Sequence, residues 1–145
     1  MGSTLFLIFL AILGGIAVTL QGHFMGLLDR GLGTRESVFI TYGSGGFVAA
    51  LMMVASRGGN LRGWASVPWY SLSAGLLGLL IVGTIGYVVP RLGLAKGFTL
   101  IIASQFILAA LIDHFGLLGG AVRPLDAVRM VGMLTLLVGV WLIIR

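Results

Sequence analysis

The side chains best suited to chemistry are amides, hydroxyls and phenols that lie within long apolar stretches. Gln105 follows Ser104 in the middle of one stretch, and Gln21 lies late in another. An unpaired amide in an apolar medium costs roughly a few kcal/mol, so each must face protein, water or a ligand. These groups, with the phenols of Tyr42 and Tyr87, predict hydrogen-bonded recognition of a small molecule. Interhelical hydrogen bonds and, for the tyrosines, space filling are the structural alternatives. Further hydroxyls in these stretches are Thr41, Ser44 and Thr84.

An adjacent carboxylate and imidazole, Asp113 and His114, follow the stretch that holds Gln105. A carboxylate at the C-terminus of a helix opposes the helix dipole, so we expect Asp113 to be paired with Arg123 or Arg129. Histidine is the side chain that changes charge nearest neutral pH. The pair is therefore the candidate for proton coupling, and a structural ion pair is the alternative.

These polar residues are poorly placed for catalysis. Ser104, His114 and Asp113 suggest a nucleophile, base and acid, but adjacent residues point about 100° apart on a helix and no oxyanion-hole motif is evident. His23 is better interpreted as an interfacial residue than as a metal ligand, because two separated histidines without helix-spaced carboxylates form a poor site. The chain has no Cys, which excludes thiolate chemistry. We expect no catalysis, no metal and no cofactor.

The composition excludes an ordinary water-soluble domain. Of 145 residues, 59% are hydrophobic and 9% charged, whereas soluble domains carry about 25% charged residues. The net charge of +5 comes from basic residues scattered at the ends of apolar stretches. They form no stripe that could follow phosphates, so nucleic acid is not an expected partner.

Uncharged stretches predict an all-α protein with five transmembrane helices in one domain, residues 1–145. Each is close to the 20 or so residues needed to cross a bilayer, and open sheets are excluded from lipid. Glycine, proline and charge cluster between them, where turns are needed. The predicted helices are approximately residues 1–28, 37–56, 68–89, 93–112 and 127–144.

The basic residues give almost no orientation signal. Five crossings place Arg57, Arg62, Arg123 and Arg129 on the side of the N-terminus, and Arg30, Arg35, Arg91, Lys96 and Arg145 on the other. Orientation normally follows an excess of Lys and Arg in cytoplasmic loops, and four against five is a negligible excess. The chain is therefore a candidate for insertion both ways and for pairing with an inverted copy of itself. The alternative is that the N-terminal amine or a partner protein decides the orientation.

Several motifs resemble the YdcZ family of the drug/metabolite transporter superfamily. They are residues 67–70 (VPWY), 75–78 (GLLG), 90–93 (PRLG), 102–106 (IASQF), 112–117 (IDHFGL), 123–125 (RPL) and 137–142 (LVGVWL). The resemblance implies a five-helix half-transporter of the bacterial inner membrane that works as an antiparallel dimer. It also implies a Gln in the first helix with Asn four residues later; Gln21 matches, whereas Met25 occupies the second position.

We therefore expect a transporter that moves a small metabolite by alternating access. Its dimer would enclose a cavity lined by Gln21, Tyr42, Tyr87, Ser104 and Gln105. No charged residue lies deep in the first three helices, which favours a neutral or zwitterionic substrate over an organic cation. Expected partners are membrane lipid, the substrate, and a second copy or a paired homologous subunit. The alternative is a non-transporting structural or regulatory membrane subunit.

Overall fold

The computed structural model describes residues 2–145, and the side chains of all of these except residues 2, 3 and 62. The described chain is helical and contains no strand, which confirms the predicted fold class. Its α-helices are α1 (Gly2–Leu32), α2 (Thr34–Ala55), α3 (Ala74–Leu92), α4 (Leu94–Phe115) and α5 (Ala127–Ile144). Short 3-10 helices cover Leu61–Ser66, Trp69–Ser73 and Leu117–Gly119.

The first two helices meet at one residue, Gly33, where the sequence predicts a longer connection. Its φ of 108° and ψ of 164° lie in a region that side chains exclude. The Gly33 N–H donates to the Asp29 carbonyl (2.9 Å), and the Gly33 carbonyl accepts from Ser37 N–H (3.0 Å). Both helices can thus continue through their charged ends, which makes α1 longer than predicted and starts α2 at Thr34.

The other boundaries differ by smaller amounts. The third predicted helix begins instead as the 3-10 turn Trp69–Ser73, and it continues past Pro90, which lies in the last turn of α3. Pro90 has no N–H to donate to the carbonyl four residues earlier, so the last turn of α3 lacks that hydrogen bond. The fourth helix includes Asp113 and His114 and ends at Gly116, whose φ is 59°. The fifth agrees with the prediction.

All five helices are long and apolar enough to cross a membrane, as predicted. Their apolar windows are at most 22% buried within the chain, the largest share belonging to the third. A transmembrane helix has no need to hide apolar side chains from lipid tails, so exposed leucines and phenylalanines are compatible with a folded state here. Lipid or another chain must cover these faces.

The chain forms two compact units, Met1–Arg91 and Leu92–Arg145. A single domain over residues 1–145 stays a prediction. In the first unit, Met25 and Ser37 are almost fully buried, and Ser37 Oγ donates to the Met25 carbonyl (3.1 Å). Gly86 of α3 allows close approach, because a Cβ there would lie 3.1 Å from Met25 Cε. Met25, which departs from the family pattern, is thus a packing residue.

In the second unit, α4 packs against α5 and buries Phe98 and Ala103. The connection between them is anchored to the end of α4. Arg123 N–H donates to the Asp113 carbonyl (2.7 Å), and Leu125 N–H donates to His114 Nδ1 (3.1 Å). Asp126 then caps α5 by accepting from Arg129 N–H (2.7 Å). These bonds hold two arginines beside the last turn of α4.

Candidate functional site

A groove of about 420 Å³ between α1 and α2 brings polar groups together at membrane depth. We call it the polar groove. Its polar members are Gln21, Thr41 and Ser44, and no charged residue lines it. The remaining lining residues are Ala17, Leu20, Phe24, Met25, Leu28 and Ile40. The sequence places these three polar groups on two different helices, and the hairpin at Gly33 brings them into one groove.

The polar groove lies away from the charged ends of two helices that are long enough to cross a membrane. Gln21 is eight residues before Asp29 and Ser44 is eight residues after Glu36. At about 1.5 Å per residue, each lies about 12 Å along its helix from the charged end of the hairpin. That depth approaches the middle of a hydrocarbon core about 30 Å thick. The two residues therefore face each other's helices at similar heights, far from the headgroups.

The Gln21 amide is an unsatisfied group in this groove, and the Thr41 hydroxyl also has no hydrogen-bond partner within the described chain. Within the described chain the amide makes no hydrogen bond, whereas Ser44 Oγ donates to the Thr41 carbonyl of its own helix (3.2 Å). The Gln21 side chain is exposed, so its amide opens outward to whatever fills the groove. An amide offers two N–H donors and a carbonyl acceptor. The arrangement can therefore recognise a small molecule that carries both donors and acceptors.

Tyr42 lies outside the polar groove and connects α2 to α3. Its hydroxyl donates to the Gly75 carbonyl at 3.4 Å and lies directly against Gly78. A Cβ at Gly78 would collide with that hydroxyl, so the glycine is needed for the close approach. These contacts favour packing for Tyr42; its predicted substrate role stays a prediction.

Tyr87 lines a different groove, which has a volume of about 700 Å³ and lies between α2 and α3. Arg91 covers this tyrosine: its guanidinium carbon lies 3.7 Å from the ring centroid, and Nη1 donates to the Tyr87 carbonyl (2.7 Å). The same Nη1 is 3.5 Å from Asp29 Oδ2, and Thr34 Oγ1 donates to Asp29 Oδ1. Tyr87 therefore belongs to a polar cluster at the hairpin end of the unit.

Sequence reasoning missed the ion pair between Asp29 and Arg91. The signal was available, because five crossings place both residues on the same side of the membrane at the ends of α1 and α3. Only the packing of these helices shows that the two ends meet.

Ser104 and Gln105 lie in the second unit, on an exposed surface of α4. Ser104 Oγ donates to the Ile101 carbonyl (2.8 Å), while the Gln105 amide makes no hydrogen bond within the described chain. Of the five predicted substrate residues, only Gln21 lies in the polar groove. The structure does not bring all five into one groove of either unit.

Asp113 lines a cavity in the second unit, which we call the charged cavity, whereas His114 is not among its lining residues. The volume of this cavity is about 540 Å³, and its charged lining residues are Asp113, Arg123 and Arg129. The remaining lining residues are Phe106, Ala109, Ala110, Leu125, Gly132, Met133 and Leu136.

The expected ion pair of Asp113 with Arg123 or Arg129 does not form within 4.0 Å in the described chain. Arg123 contacts Asp113 through its backbone N–H, and Arg129 Nε is instead 3.8 Å from Asp126 Oδ2. His114 uses Nδ1 to accept from Leu125 N–H, which requires that nitrogen to be unprotonated.

The described residues contain no group of three His, Asp or Glu side chains placed to hold a metal. Five apolar helices that are long enough to cross a bilayer define a multi-pass helical membrane protein. A family model described as "Putative inner membrane exporter, YdcZ" matches residues 6–142. The chain belongs to this family, as the motifs predicted, and is an inner-membrane protein. No curated protein and no solved structure matches it.

Proposed function

We propose that this chain is one half of a two-chain exporter that moves a small neutral or zwitterionic metabolite by alternating access. In this proposal the polar groove contributes directly to the substrate cavity. Gln21 supplies the donors and acceptor that orient the substrate, and Thr41 and Ser44 supply hydroxyls from the facing helix. Two copies in opposite orientation would place two such grooves around a two-fold axis.

The unsatisfied Gln21 amide is the observation that carries this proposal. A primary amide about 12 Å from the charged helix end, without a partner among the described residues, gains most by binding a group from outside the chain. The groove beside it has room for a small metabolite, about 420 Å³. Specific sites commonly combine apolar walls with a few polar groups that set orientation.

The absence of charge in the polar groove supports the substrate class. An embedded carboxylate stabilises a permeating cation, and this groove's lining includes no acidic or basic residue. An amide and two hydroxyls can satisfy a hydroxylated or amide-bearing molecule, and a zwitterion whose charges are close together. A lipophilic cation finds no counter-ion among these residues.

Shallow burial supports the two-chain arrangement. The apolar windows of α1, α2 and α5 are each no more than 6% buried in the chain, and several helix glycines have open space at their Cβ positions, among them Gly14, Gly15, Gly45 and Gly46. Small residues on open helix faces allow close packing of helices in lipid. Together with the nearly balanced arginines, these faces favour association with an inverted copy.

The test is transport in proteoliposomes that contain the full chain. The probes are labelled neutral and zwitterionic amino acids and polyols, with tetraphenylphosphonium as the lipophilic cation. We expect the wild type to move one of the neutral or zwitterionic probes and not tetraphenylphosphonium. Gln21→Leu removes every hydrogen bond between the amide and the substrate. Because that loss costs on the order of 1.4 kcal/mol or more, transport should fall at least about tenfold.

Thr19→Val is the matched control on the same helix. Thr19 Oγ1 donates to the Gly15 carbonyl of α1, and the residue does not line the polar groove. This variant should transport like the wild type. Equal transport by Gln21→Leu and Thr19→Val would contradict the assigned groove. A wild type that assembles but moves no probe would instead favour the structural or regulatory subunit.

A further inference from the structure

The charged cavity of the second unit holds opposite charges that do not neutralise each other. Within the described chain, neither the Asp113 carboxylate nor the Arg123 guanidinium has an ion-pair partner within 4.0 Å, although both line one cavity. Arg129 also lines it and shares its charge with Asp126. A carboxylate in the last turn of a helix is repelled by the negative end of the helix dipole, so a nearby cation stabilises it. The cavity thus requires a cation and an anion together.

The position of this cavity places its mouth among lipid headgroups. Asp113 lies in the last turn of the span Leu94–Phe115, and Arg129 lies in the first turn of the span Ala127–Ile144. Phe106 and Leu136 line the inner end, each seven residues deeper, or about 10 Å along the helix. Between the two ends the walls are apolar. The cavity is therefore charged at the interface and apolar toward the hydrocarbon core.

We propose that the charged cavity binds a phospholipid with a phosphoethanolamine headgroup. The phosphate is held by Arg123 and Arg129, the primary ammonium by Asp113, and one acyl chain lies along the wall formed by Ala110, Gly132 and neighbouring apolar residues. Guanidinium groups bind phosphate with charge-assisted hydrogen bonds, and a primary ammonium can donate three hydrogen bonds to a carboxylate.

Other headgroups fit this charge pattern less well. An anionic phosphoglycerol headgroup satisfies the arginines but leaves Asp113 unpaired and close to a phosphate. A phosphocholine headgroup has no N–H to donate to the carboxylate. The other titratable groups nearby do not change the pattern, since His114 Nδ1 is occupied by Leu125 N–H and Asp126 pairs with Arg129.

The test measures lipid retained by the full chain, and it does not depend on transport. The chain is purified in detergent, mixed with equal amounts of phosphatidylethanolamine, phosphatidylglycerol and phosphatidylcholine of the same acyl chains, and analysed by native mass spectrometry. We expect about ten times more phosphatidylethanolamine than either other lipid to be retained. The difference corresponds to one charge-assisted hydrogen-bonded pair, between the lipid ammonium and the Asp113 carboxylate. Asp113→Asn should remove most of this preference, and Arg123→Gln should lower retention of all three lipids.

Two glycine variants separate the acyl-chain contact from misfolding. A Cβ at Gly132 or at Gly139 meets nothing within 4 Å, so both positions have open space in which a side chain can begin. Gly132 lines the charged cavity, whereas Gly139 lines a different groove. Gly132→Leu should lower retention of every lipid, while Gly139→Leu and the charge control Arg145→Gln should not.

Four results with the lipid mixture would overturn the proposal, and a fifth comes from a soluble competitor. The four are no preference among the three lipids, a preference for another of them, a preference that survives in Asp113→Asn, and retention that Gly132→Leu leaves unchanged. Free O-phosphoethanolamine distinguishes a lipid from its soluble headgroup. If it displaces the lipid at micromolar concentration, the apolar wall contributes nothing and the lipid assignment is wrong. If millimolar amounts are needed, the acyl chain contributes as proposed.

Discussion

Asp29 at the end of α1 and Arg91 at the end of α3 form an ion pair in which Oδ2 and Nη1 are 3.5 Å apart. The pair is asymmetric: the Asp29 side chain is 8% exposed and the Arg91 side chain 48%. Thr34 Oγ1 also donates to Asp29, so this carboxylate connects the ends of three helices. The polar groove is a property of the α1–α2 hairpin, and the ion pair holds that hairpin to α3.

The asymmetry of this pair predicts unequal effects of removing either partner. Arg91→Gln leaves a buried carboxylate without its cation and should lower the free energy of unfolding by about 1–2 kcal/mol, after allowance for the half-exposed guanidinium. Asp29→Asn leaves an arginine that water can solvate and should cost about half as much. Unfolding of the full chain in detergent, with the double variant completing the cycle, measures both effects. A larger loss in Asp29→Asn would contradict the interpretation.

The close approach at Gly86 predicts a packing defect when that glycine is enlarged. Gly86→Leu should destabilise the first unit by about 1–3 kcal/mol, because Met25 and Ser37 already fill the space beside it. Gly43→Ala is the control on α2: its Cβ meets nothing within 4 Å in the chain, and alanine stabilises a helix by up to about 1 kcal/mol over glycine. Thermal unfolding of both variants distinguishes them. Equal melting temperatures for the two variants would contradict the close packing assigned to Gly86.

Substitution of Gln105 tests whether this residue binds substrate or packs between the two copies of the dimer. Its amide makes no hydrogen bond in its own unit and is exposed, so Gln105→Leu should leave the stability of the chain within about 0.5 kcal/mol of the wild type. If the residue lines the substrate cavity of the dimer, transport of the probe falls while the dimer persists. If it packs between copies, the dimer is lost first. Crosslinking in the membrane, measured beside proteoliposome transport, identifies which occurs.

The near balance of basic residues predicts insertion in both orientations. Fused to the C-terminus, one reporter that is active only inside the cytoplasm and one that is active only outside should give comparable signals. Adding one arginine to either side of the membrane should shift the ratio strongly, because the wild type differs by a single basic residue. Signal from one side alone would contradict the self-paired inverted dimer and direct the search to an oppositely oriented homologous partner.

The number and class of elements followed from the sequence because hydropathy is local. Each of the five apolar stretches contains enough information to form a helix in lipid, and α5 occupies the predicted residues. The boundary at Gly33 was less predictable. A charged segment resembles a loop in sequence, but one glycine at φ 108° is enough to turn the chain and keep both helix ends helical.

Pairing of polar groups is a property of tertiary structure, and the sequence could not decide it. Gln21 and Tyr42 look similar as polar residues in apolar helices, yet α3 supplies the Gly75 carbonyl to Tyr42, and none of the described residues supplies a partner to Gln21. The sequence predicted an ion pair of Asp113 with Arg123 or Arg129, whereas the structure gives Arg123 a backbone bond to Asp113 and places Arg129 beside Asp126. A residue's type sets which bonds it can make, while the packing of helices distant in sequence sets which partners come within reach.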